Sequence, residues 1–109
     1  MNNTTLILNA LESEQWPNGK TALFSLGTIV ATTAVASHFS ESNIDIKTYL
    51  LRHVQGDWGE VSSEDSIAND LAIKNCTRLL SAYVVANNRI WIITEADRSA
   101  TTLLFPEEY

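Results

Sequence analysis

Two histidines, His38 and His53, are the side chains of this 109-residue chain whose ordinary pKa lies near neutrality. His53 follows Tyr49 by one helical turn, sits beside Arg52, and precedes the run Gly56-Asp57-Trp58-Gly59. Taken with Arg98, Ser99 and Thr101 from further along the chain, it makes an acid–base set. The imidazole would move a proton, Arg98 would stabilise a phosphoryl transition state, and Ser99 or Thr101 would orient the substrate. Such a set suits a small metal-independent ribonuclease of toxin type, with His53, Arg98 and Thr101 as its catalytic residues. The plainer role for His53 is to close a helix C-terminus, where its charged form favours the dipole.

The charge balance bears on that choice. Seven basic and thirteen acidic residues leave a net charge of −6. From Asp57 to Asp70 the chain carries Asp57, Glu60, Glu64, Asp65 and Asp70 and no base. Proteins that bind nucleic acid draw most of their affinity from basic patches, so a nucleic-acid partner is not expected. The acidic run instead offers a negative surface for a protein partner, with Trp58 as an aromatic anchor. Asp57, Trp58, Glu60 and Glu64 are therefore the candidate partner-binding residues. The competing reading has the Trp58 ring plugging the junction of helix and sheet while Asp57 bonds loop amides.

Other features exclude more than they suggest. Cys76 is the single cysteine, so no intramolecular disulfide forms, and metal-ligand spacings are absent. Cys76 reads as a small buried apolar residue rather than a nucleophile. Glu95, Asp97 and Arg98 read as a network that fixes a turn. No cofactor motif is present, and no apolar run approaches the ~18 residues of a membrane span. Met1–Thr5 lack the positive start of a secretory signal. A cytoplasmic protein with neither cofactor nor metal is the expectation.

The elements that must position these residues follow from periodicity and capping. Hydrophobic residues at 45% and charged residues at 18% describe one globular domain, residues 1–109, with residues 1–24 as an N-terminal extension of uncertain form. Leu6, Ile7, Leu8 and Leu11 fit a strand or a helical face, and Gln15–Gly19 is a turn signal. An extended segment is expected around Ala22–Ala31. A short helix capped by Thr32 or Thr33 then runs to Phe39. A second, amphipathic helix spans 45–55, with Ser42 or Asn43 as its cap, Asp45 in its first turn, and Ile46, Tyr49, Leu50, His53 and Val54 on one face. Gly56 ends it. Ser62 to Asp65 begin a third helix, Ser63–Asn75, whose buried stripe would be Ile67, Ala68, Leu71 and Ala72. The chain then reads as a hairpin, Leu79–Ala86 with Arg89–Ala96, turning at Asn87-Asn88. That register sets Val85 opposite Ile90, Tyr83 opposite Ile92 and Ser81 opposite Thr94. A third strand, Thr101–Phe105, follows.

The segments SLGTIVAT, LLRHVQGDWG, RLLSAY and WIITEADRSATTLLFPEEY resemble a family of small bacterial proteins. Its members are labelled plasmid-related or carried as subunits M of type I restriction–modification systems. The resemblance covers roughly residues 25–109. It implies a mobile-element context and carries over no activity and no catalytic residue. A methyltransferase would need a cofactor-binding sheet with a Gly-rich loop after a strand, which this chain lacks.

The expected fold is α+β: two or three helices followed by a three-stranded antiparallel sheet, which a further N-terminal strand can join. Both faces of the hairpin are apolar, so a homodimer through the sheet is expected unless residues 1–30 cover the second face. The expected function is that of a small non-enzymatic interaction or regulatory protein of a mobile genetic element, binding a protein partner. The alternatives are the ribonuclease and a small-molecule-binding module that uses the sheet face and Trp91.

Overall fold

The computed structural model describes residues 5–8 and 22–109. Its elements are β1 (Thr5–Leu8), β2 (Thr28–Thr32), α1 (Thr33–Glu41), α2 (Ile46–Val54), α3 (Ser63–Asn75), β3 (Leu79–Val85), β4 (Asn88–Thr94), β5 (Ala100–Leu104) and a 3-10 turn, Pro106–Glu108. The fold is α+β, with three helices leading into three antiparallel strands. The turn expected at Gln15–Gly19 lies outside the described residues. No helix among the described residues is long and apolar enough to cross a membrane.

Each helix begins where a short polar side chain accepts an orphan amide. Thr32 Oγ1 accepts from the Val35 amide at 3.2 Å, Asp45 Oδ1 from Lys47 at 2.9 Å, and Ser62 Oγ from Asp65 at 3.0 Å. The cap of α2 is thus Asp45, not Ser42 or Asn43. Asn43 takes a left-handed conformation (φ 58) in the connection between α1 and α2.

The strands form one sheet in the order β1-β2-β5-β4-β3. Neighbours are antiparallel except β2 and β5, which run parallel with Thr28 opposite Ala100. The β3–β4 hairpin turns one residue earlier than expected, at Ala86 (φ 48) and Asn87 (φ 71), so that Val85 pairs with Asn88, Tyr83 with Ile90 and Ser81 with Ile92. Both turn residues have positive φ, the type I′ geometry whose twist suits a two-residue hairpin. The offset preserves which residues share a face, because the pairing sum moves by two.

One face of the sheet lies under α1 and α2. Ile29, Ala31, Tyr83, Val85, Ile90, Ile92 and Leu103 meet Val35, Phe39, Leu50 and Val54 there in one buried cluster. Full burial stabilises each large side chain by about 1.5–3 kcal/mol. On the opposite face Ala82 (3%), Ile93 (3%) and Leu104 (7%) are also buried, while Trp91 is half-buried against Tyr109 at 5.8 Å. Among the described residues the second face is thus covered in part, with Val84 left 51% exposed.

Helix α3 departs most from expectation. Of the stripe Ile67, Ala68, Leu71 and Ala72, Ala72 is buried, but Ile67 and Leu71 stand 61% and 53% exposed. The buried side of α3 consists of Asn69 and Ala72. The reason lies in what α3 packs against: the edge of the sheet, not its face. The Asn69 amide donates to the Leu80 carbonyl at 2.7 Å and accepts from the Leu80 amide at 3.1 Å, pairing with β3 as a neighbouring strand would. Two residues along, the Ala82 amide donates to the Trp58 carbonyl at 3.0 Å, and the Glu60 amide donates to the Ala82 carbonyl at 2.6 Å. Gly59 (φ 74) makes that approach feasible, since a Cβ there would run into the Ala82 carbonyl oxygen.

Candidate functional site

His53 is carried by the last turn of α2 into the centre of the core, where it is 0% exposed. Its Nδ1 lies 2.6 Å from Ser81 Oγ on β3, and its Nε2 lies 2.9 Å from Thr94 Oγ1 on β4. Thr94 Oγ1 is 2.7 Å from Thr101 Oγ1 on β5, and Thr101 donates to the Leu26 carbonyl at 2.7 Å. That last bond orders the whole chain. With its proton committed to Leu26, Thr101 accepts from Thr94; Thr94 then accepts from His53 Nε2–H; and Nδ1 accepts from the Ser81 hydroxyl. The imidazole is thus the neutral Nε2–H tautomer, with both nitrogens satisfied. The shifted hairpin register makes room for it. Directly opposite residues lie about 4.5–5.5 Å apart, whereas diagonal neighbours lie about 7–8 Å apart. Ser81 and Thr94 are diagonal, and the ring bridges them.

Burial first, and the positive charge of Arg98 second, lower the His53 pKa from 6.5 to about 3. The ring is enclosed by Phe24, edge-on at 5.2 Å, and by Trp58 at 5.8 Å. At neutral pH it is an uncharged crosslink between α2 and strands β3 and β4, with Thr94 passing the chain on to β5, rather than a base facing solvent.

Arg98 also serves the fold. It occupies the left-handed position (φ 61) of the turn between β4 and β5, where its own amide donates to Glu95 at 2.9 Å. A non-glycine residue there costs about 1–2 kcal/mol. Four carbonyls offset this. Nη1 donates to Thr77 (2.7 Å), Glu95 (3.1 Å) and Ala96 (3.2 Å), and Nη2 donates to Ala72 (2.9 Å). The guanidinium thereby ties the end of α3 to the β4–β5 turn and lies 5.7 Å from the centre of the Phe24 ring. Gly27 (φ 64) backs onto the same turn, where a Cβ would strike the carbonyl oxygens of Arg98 and Ser99. Within that turn Asp97 accepts from the Ser99 amide at 3.0 Å, so the expected turn-fixing role of this segment holds for Asp97 and Arg98.

His53, Arg98 and Thr101 therefore share a neighbourhood, but His53 and Thr101 are fully buried and face no solvent. A depression of about 300 Å³, lined by Phe39, Ser40, Asn43, Ile44 and Asp45, includes none of them. Among the described residues no group of three or more His, Cys, Asp or Glu is placed to hold a metal ion.

The loop after α2 divides the candidate partner-binding residues. Trp58 is 5% exposed, stacked on Phe24 at 6.1 Å and packed with Ala72 and Leu79, with its Nε1 donating to Asp70 at 3.1 Å. This corrects the reading of Trp58 as an exposed anchor, because its ring fills the junction of α3 with the sheet. Asp57 pairs with Arg52 Nε at 2.7 Å and accepts from the Gly59 amide at 3.3 Å, while its carbonyl accepts from the Tyr83 hydroxyl at 2.5 Å. The bond from Arg52 holds the Asp57 carboxyl below the usual carboxylate range. Cys76, expected to be buried, is exposed, because it is the left-handed cap (φ 55) of α3. Glu60 and Glu64 remain exposed, as do Asp65 and Asp70.

The outer face of α3 thus carries Ile67 and Leu71 in the position expected of Trp58. The sequence carries no signal for this, since Asn69 lies on the opposite side of the helix, where a polar residue would also sit if Ile67 and Leu71 were buried. Ser81 and Thr94, polar positions in otherwise apolar strand rows, did signal a buried polar partner. Set against known proteins, the chain matches no family model, no curated protein and no solved structure.

Proposed function

We propose that this chain is a small interaction protein of a mobile genetic element that acts by binding a protein partner through the outer face of α3. The observation that carries this reading is the exposure of Ile67 (61%) and Leu71 (53%) on a helix whose segment is rich in acid. Two large apolar side chains, one turn apart and held in water by a well-anchored helix, stand to gain about 1.5–3 kcal/mol each if fully buried by a partner. The mobile-element context rests on the resemblance of the segments from SLGTIVAT to FPEEY to the plasmid-related family. The ribonuclease reading draws no support from a neutral, enclosed His53 and an Arg98 engaged by four carbonyls.

The test is capture of a partner by tagged chain expressed in its native host, compared with the double variant Ile67→Ser, Leu71→Ser. Recovery by the native chain and loss in the variant, with equal stability in urea, is the expected result. Equal recovery by both would remove α3 from the interface. The same preparations are assayed on RNA. Metal-independent cleavage that disappears in His53→Gln would replace this reading with the nuclease.

A further inference from the structure

We infer that the partner presents a basic, amphipathic α-helix to the outer face of α3; this rests on the binding reading above and specifies the partner's chemistry. Three observations converge on it.

The first is shape. Ile67 and Leu71 are one turn apart on α3, so they form an i, i+4 ridge of the kind that seats in the groove of a second helix. The second is what the neighbouring edge refuses. A partner strand would add to β3, but the backbone groups of Leu80 are taken by Asn69 and those of Ala82 by Trp58 and Glu60. Strand addition beside α3 is therefore closed, and packing onto the helix surface remains.

The third is charge. On the helical wheel Glu64 and Asp70 flank the ridge on either side, and Lys74, the single base on the helix, lies in line with the ridge one turn beyond Leu71. Glu60 and Asp65 extend the negative surface toward the start of α3. Among the described residues the one ion pair is Arg52–Asp57, so none forms at the Glu60, Glu64 or Asp65 carboxylate, although the Arg89 guanidinium donates to the Glu60 carbonyl at 3.3 Å. An apolar ridge edged by carboxylates favours a partner whose leucine-like stripe is bordered by lysine or arginine. It disfavours a second copy of this chain, whose Glu64 and Asp70 would meet the same charges.

The test uses the purified full chain and three synthetic peptides. One has a helical leucine stripe flanked by lysines, one has those lysines replaced by glutamates, and one has the first peptide's composition in an order without an apolar face. The expected result is binding of the first peptide, with amide shift changes centred on α3. The glutamate peptide and the scrambled peptide should bind at least about tenfold more weakly, and raised salt should weaken the first. Ile67→Ser with Leu71→Ser should abolish binding, and Glu60→Lys with Glu64→Lys should reverse the charge preference. Equal binding of the lysine and glutamate peptides, equal binding of the scrambled peptide, or shifts away from α3 would each overturn the inference. So would a dimer in light scattering that Leu71→Ser dissociates, which would make a second copy the occupant. If a native-host partner is captured through Ile67 and Leu71 but the peptides are not discriminated, the binding reading stands and the basic helix falls. If capture ignores those residues, both fall.

Discussion

Helices α2 and α3 carry similar-looking apolar spacing and are used in opposite ways. Helix α2 lies on the face of the sheet and buries Leu50, His53 and Val54. Helix α3 lies along the edge, buries Asn69 and Ala72, and turns Ile67 and Leu71 to solvent. The surface each helix meets explains the difference. A sheet face offers side chains, so a helix on it gains by burying apolar groups. A sheet edge offers backbone N–H and C=O, so a helix beside it gains by bringing an amide, with a small residue next to it to allow close approach. The one polar group α2 buries is held by two hydroxyl-bearing strand residues, Ser81 and Thr94; the apolar groups α3 exposes have no such internal use.

The largest expected effect is at the buried end of this contrast. His53→Ala leaves a cavity and strands the Ser81 and Thr94 hydroxyls, and is expected to cost about 3–5 kcal/mol in urea unfolding. A loss under 1 kcal/mol would mean that the imidazole is not the crosslink of the core. Next is Asn69→Ala, which removes both bonds to Leu80 and should cost about 2 kcal/mol. Amide exchange at Leu80 should accelerate, whereas Leu51→Ala on α2 should leave that amide unchanged.

The pH dependence sharpens the same point. The unfolded chain takes up a proton on His53 below about 6.5, while the folded chain refuses it down to about 3. Stability is therefore fullest above pH 6.5 and falls as pH drops, approaching about 1.4 kcal/mol per pH unit between those values. His53→Gln should flatten this slope. Asp57, held low by Arg52, adds its own loss only as pH falls below its usual range of 3.8. The smallest effect belongs to α3's outer face: Ile67→Ser with Leu71→Ser should change stability by no more than about 0.5 kcal/mol. A large loss there would mean that the two residues serve the fold after all.

Much of the fold is legible in local patterns. Ser62 as a cap and the acids behind it mark α3 at its observed bounds, and the β-branched runs around Asn87 mark the hairpin. The parallel pairing of β2 with β5 is not legible, because a partner so distant along the chain leaves no mark on either strand's own residues. Periodicity shows that Ile67 and Leu71 share a face, but not which way that face turns; the edge of β3 decides it. The site is legible in the same partial sense. His53 stands out by type, yet its role depends on Ser81, Thr94 and Thr101, which come together only when three strands align. Trp58 reads as anchor or plug until Phe24, from the extended segment before β2, arrives to stack on it.

The strand order carries one more consequence, for how the chain comes into being. Strand β5, made after the other four, occupies the middle of the sheet between β2 and β4. Until it emerges, the growing polypeptide holds two separate strand pairs, β1 with β2 and β3 with β4, and an isolated pair is marginal in water. Ile92 and Ile29, which β5 will join into one layer, stay apart until then. Closing of the sheet during synthesis thus waits for Ala100–Leu104, and a chain cut short before Ala100 holds two strand pairs that no strand joins.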